Sequence, residues 1–67
     1  MSGIPLSEQI ECVKRELQRR EIVYPRIVGD GAMPAAKAQT ELAEMRAVLA
    51  TLQALQRFYA NGNKKTT

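Results

Sequence analysis

The stretch that decides the fold is Ile27-Val28-Gly29-Asp30-Gly31-Ala32-Met33-Pro34. Two glycines around an aspartate serve a helix C-cap and a tight turn, where a positive φ is needed. Pro34 then opens a new helix at its first position, where a missing N–H costs nothing. The stretch therefore reads as a stop, a turn over about 29–33 and a start, with a helix on either side.

Working back from the turn, Leu6, Ile10, Val13, Leu17, Tyr24 and Ile27 recur at a 4-3-4 spacing, with Arg20 standing where the next apolar residue belongs. That is the coiled-coil rhythm of a helix packed along one seam, here over about 7–28. Ser7 is a candidate N-cap, with Glu8 and Glu11 suited to the positive helix end. Glu11–Arg15 and Glu16–Arg20 are i,i+4 pairs in the better orientation, each contributing about 0.3 kcal/mol. Pro25 interrupts the pattern, since a mid-helix proline removes one backbone bond and clashes with the preceding turn. The seam resumes in register at Ile27, which favours a kinked helix over a terminated one.

Working forward, Leu42, Met45, Leu49 and Leu52 form the seam of a second helix over about 34–60, and Val48, Leu55 and Tyr59 widen it. Seven alanines between Ala35 and Ala54 add helix propensity and allow close approach. Asn61-Gly62-Asn63 reads as a stop, with a flexible tail over about 61–67. Two long helices joined by a short loop lie antiparallel. The expected fold is one all-α domain over 1–67, a two-helix hairpin with a proline-kinked first helix. The apolar face of the second helix, reaching from Leu42 through Leu55, Phe58 and Tyr59, is too wide for one partner helix. A homodimer forming a four-helix bundle is therefore expected, with Leu17, Leu42, Met45, Leu49, Leu52, Leu55 and Tyr59 in its core.

At 67 residues the chain is near the size where a single core is only marginally stable. With one cysteine, Cys12, no intrachain disulfide can help, and without histidine a zinc site lacks ligands. No metal and no cofactor are expected. Met1-Ser2-Gly3-Ile4-Pro5 lacks a basic region followed by an apolar run, and the longest apolar stretch falls far short of the roughly 20 residues needed to span a bilayer. A soluble, cytoplasmic protein is expected, with no membrane partner.

Catalysis lacks its usual general base. Glu41 and Glu44 are three apart and could share a face, but a solvated face is the plainer reading than a catalytic pair. Cys12 is expected to be a buried, inert thiol. The expectation is a non-enzyme. The net charge of +3 invites a nucleic-acid reading, yet two of the ten basic residues are Lys64 and Lys65. On helix one, Arg15, Arg19 and Arg26 can line one side, but Glu11, Glu16 and Glu21 are interleaved and dilute that face. Nucleic acid stands as the weaker alternative. Arg19, Arg20, Tyr24 and Arg26 are the expected partner-binding residues, a planar and cationic cluster at the bend able to grip a carboxylate or phosphate. A small phosphorylated ligand at a dimer interface is a third alternative. The bland reading of Tyr24 is that it fills the gap the proline creates.

The run Arg20-Glu21-Ile22-Val23-Tyr24-Pro25-Arg26-Ile27-Val28, followed by Gly31-Ala32-Met33, Lys37-Ala38, Glu41 to Met45, Val48-Leu49 and Thr51-Leu52, resembles small phage- and prophage-encoded helical proteins of uncharacterised function. The resemblance covers about 4–55. Those proteins tend to have Thr where this chain has Pro34, and an aromatic near Ile27. The resemblance implies a phage accessory gene product and carries no catalytic or ligand residue across. Together with the rigid, chemistry-poor scaffold, it leads to the expectation of a factor that binds and modulates a host protein, with host defence as the target class.

Overall fold

The computed structural model describes residues 3–66, with side chains described as far as residue 60. It holds two helices, α1 (Leu6–Gly29) and α2 (Ala35–Thr66), and no strand among the described residues. The helices pack on one another along their length. Two contacts fix the direction: Tyr24 meets Glu41, and Glu21 meets Arg46. Moving back along α1 thus moves forward along α2, so the hairpin is antiparallel.

The turn satisfies the end of α1 through backbone alone. The Asp30 N–H donates to the Arg26 carbonyl, Gly31 to Val28 (3.0 Å), and Ala32 to Ile27 (3.0 Å). The last two bonds, with Gly31 at φ 78°, make a Schellman cap. Of the two glycines in the stretch, only Gly31 needs the left-handed conformation. Gly29 is the last residue of α1, and a Cβ there would meet nothing within 4 Å. Pro34 stands just ahead of α2, its carbonyl accepting from Ala38 at 3.1 Å.

Two sequence expectations change and one stands. Ser7 is not the N-cap of α1. Pro5 takes that place in extended conformation, its carbonyl accepting from Glu8 and Gln9, and no side chain caps the helix. α1 runs on through Pro25, the continuation that the in-register seam favoured. Both Pro25 and Glu21 are exposed, so the carbonyl that proline leaves without a helical donor is not trapped in the core. Finally, α2 passes through Asn61, Gly62 and Asn63 to Thr66 rather than stopping near Ala60. A glycine inside a helix costs only about 1 kcal/mol relative to alanine, and no proline follows to force an end. Thr67, part of the expected tail, lies outside the described residues.

The core is a single thin seam. Ile10, Leu17 and Ala38 are buried, and no side chain among the described residues is fully enclosed. Leu6, Val13, Tyr24 and Ile27 on α1 and Leu42, Met45, Leu49 and Leu52 on α2 are half-buried along it. Leu55 and Tyr59 lie outside it, at 39% and 57% exposed.

Candidate functional site

A helix turns about 100° per residue, so each helix of the hairpin has a seam, two flanks and an outer face. The flanks differ in chemistry. On one, Arg46 donates to Glu21 at 3.0 Å across the helices. Beside it, toward the turn, Tyr24, Pro25, Val28, Ala35, Ala38, Gln39 and Leu42 line a shallow cleft of 210 Å³.

The other flank, the front, carries the polar network nearest the seam. The Tyr24 hydroxyl donates to Glu41 Oε1 at 2.8 Å, and Lys37 lies 3.7 Å from the same carboxylate. On α1 the Arg20 guanidinium donates to Glu16 at 2.8 Å. This hydrogen bond holds the Glu16 carboxyl below its ordinary value and Arg20 above its own. The Tyr24 phenol is raised above 10.0, first by its bond to Glu41 and then by burial. The network therefore keeps protons where they already are, the reverse of a phenol poised to act as a base. Farther along the front, Val48, Leu55 and Tyr59 follow one another on α2, each partly exposed. Phe58 stands edge-on to Tyr59, ring centroids 5.8 Å apart.

The four residues expected to bind a partner do not form one cluster. Arg19, Arg20 and Tyr24 line a common groove of 280 Å³ with Glu16 and Val23. Arg26 is not part of it. Tyr24 and Arg26 lie about 200° apart around α1, so one faces the seam and the other the outer side. Glu44 is exposed, while Glu41 is engaged by Tyr24 and Lys37. Cys12 is exposed rather than buried, because it lies about a third of a turn from the seam. Glu11 meets Lys14 at 3.5 Å in place of Arg15.

No protein-family model, curated protein or solved structure matches the chain. The site is thus read from its own residues. Among the described residues, no group of three His, Cys, Asp or Glu could hold a metal ion, and no helix is long and apolar enough to cross a membrane.

Sequence reasoning missed the cross-helix partners of Tyr24 and Glu21. Of α1's interleaved acids it placed Glu16 with Arg20 but missed that Glu11 is engaged by Lys14 and Glu21 by Arg46. The i,i+4 spacing of Glu16–Arg20 was a readable signal. The Glu21–Arg46 pair was not, because it depends on the register set by the turn.

Proposed function

We propose that this chain is a non-enzymatic binding protein of the phage accessory type, acting as a homodimer that engages and modulates a host protein, with host defence as the target class. Two hairpins meet front to front as a four-helix bundle, and a bend of α1 at Pro25 lets that helix follow its new neighbours.

The observation that carries the dimer is the excess of exposed surface. The chain exposes 5287 Å² at 7.5 kDa, about 1,000 Å² more than the roughly 4,200 Å² of a compact monomer of that mass. One partner's share of a standard interface is about 800 Å². Val48 (47% exposed), Leu55 and Tyr59 are where the missing contact belongs. They follow one another at helical spacing beside a seam that encloses no side chain fully. Interaction with a host protein is supported by the phage resemblance and by a network of side chains suited to holding shape.

Light scattering at micromolar concentration tests the assembly. The expected mass is twice 7.5 kDa, falling to the single mass in Val48→Asp/Leu55→Asp. A wild-type monomer would overturn the dimer. Pull-down from host lysate with and without nuclease tests the partner class. A near-stoichiometric protein that survives nuclease is expected, and recovery of nucleic acid alone would replace this reading.

A further inference from the structure

We propose that the outer face of α1 is a docking surface for an acidic amphipathic helix of a partner protein, gripped by Arg15, Arg19 and Arg26 around an exposed Ile22. This inference rests on the reading of the chain as a binding protein and names the chemistry of what it binds.

The four residues are spaced 4-3-4, so they form one row about 16 Å long on a straight helix. Arg20 and Tyr24 belong to the front, and Arg19 stands at the border, lining their groove as well. Ile22 is 62% exposed, the most exposed aliphatic side chain of α1 among the described residues. Among the described residues, no ion pair within 4 Å engages Arg15, Arg19 or Arg26. Arg19 acts on Glu16 only through space, and that carboxylate is already bonded to Arg20.

Three of the nearby acids are committed elsewhere, and Glu8 and Asp30, at the two ends of the row, pair with none of its arginines among the described residues. Glu11 holds Lys14, Glu16 holds Arg20, and Glu21 is drawn across the hairpin to Arg46. The hairpin's own folding thus leaves a row of positive charge facing outward. A second copy does not fit it, since an α1 row laid on its own copy sets arginine against arginine. A partner helix with acids at the same 4-3-4 spacing and an apolar residue opposite Ile22 matches both the charge and the gap. Arginine's planar fork suits carboxylates in that arrangement. Ile22 decides between acidic protein and nucleic acid, because an aliphatic side chain at the centre of the row adds contact to a protein helix and nothing to a phosphate chain. Ile22 and Arg26 lie away from the front face, while Arg19 borders the front groove and Arg15 the cleft beside Leu52, so the dimer leaves the Ile22–Arg26 part of the row open.

The test is fluorescence anisotropy with a labelled alanine-based helical peptide carrying Glu at i, i+4 and i+11 and Leu at i+7. A twin peptide with Lys for Glu and a single-stranded oligodeoxythymidine are the comparisons. The Glu peptide is expected to bind. Affinity should drop roughly tenfold or more in Arg19→Glu/Arg26→Glu and several-fold in Ile22→Ser, with the Lys peptide silent. No binding of the Glu peptide up to millimolar protein, equal binding of the two peptides, or tighter binding of the oligonucleotide with Ile22→Ser unchanged would each overturn the proposal. Light scattering on the same samples separates the two readings. A dimer that ignores the Glu peptide removes this inference alone, whereas a monomer removes the assembly proposed above.

Discussion

The turn end and the far end of the hairpin are held by different means. Near the turn, α1 and α2 are tied by directional contacts: the Schellman cap at Gly31, the Tyr24–Glu41 hydrogen bond and the Glu21–Arg46 pair. Toward the far end, no cross-helix hydrogen bond or ion pair is seen among the described residues. There Ile10 is 4% exposed, while Leu55 is partly exposed and Phe58 and Tyr59 stand largely in solvent. The difference teaches that register is set at one end and apolar surface is left over at the other. Polar ties specify a geometry, whereas apolar area is indifferent to which chain covers it.

Ile10→Ala should expose the contrast most strongly. Truncating a buried isoleucine costs about 2–5 kcal/mol, and the loss should appear first at the far end. Hydrogen exchange would show faster amides around 6–13 and 52–59 than around 24–28. Equal loss at both ends would break the comparison. Next in size is the glycine pair. Gly31→Ala forces an alanine into the left-handed region at about 1–2 kcal/mol, while Gly29→Ala should stabilise by about 0.5–1 kcal/mol because that residue is helical already. Thermal melts at one fixed protein concentration measure both, and a matched sign would show that the cap is not where the turn is specified.

A smaller effect comes from Tyr24→Phe. A phenol held above its ordinary 10.0 in the folded chain contributes stability that is complete below that value and lost as pH rises through the folded one. Wild-type melting temperature should therefore fall more steeply than the variant's between about pH 9 and pH 11. Parallel curves would remove the Tyr24–Glu41 bond from the turn end's account. The smallest effect belongs to Glu21→Gln. The pair is about half exposed, so its loss should cost a few tenths of a kcal/mol, and less in high salt.

Much of this was legible in the sequence, for reasons that can be named. Gly-Asp-Gly before Pro34 marked the turn because cap and start chemistry are local. The 4-3-4 spacing marked the seam because helical geometry is regular. Glu16–Arg20 followed from the same regularity. Ser7 misled because a hydroxyl near a helix start is a common cap, while the carbonyl of Pro5 serves without any side chain. Cys12 was placed by its neighbours in sequence rather than by its angle around the helix. Tyr24–Glu41 and Glu21–Arg46 were out of reach, since residues 17 and 25 positions apart meet only once the register is known. The cluster expected at the bend failed on helical phase alone: three of its residues face one groove, and Arg26 faces away.

The cap at Gly31 also bears on the order in which the chain folds. Closing the few residues between Val28 and Ala35 costs about 2 kcal/mol less entropy than bringing Leu6 to Tyr59 with nothing else formed. The hairpin should therefore nucleate at the turn and zip outward. Gly31→Ala would then slow folding, whereas Ile10→Ala would mainly hasten unfolding. The far end, last to close and first to open, stays accessible longest. A second chain can meet it while the first is still half zipped.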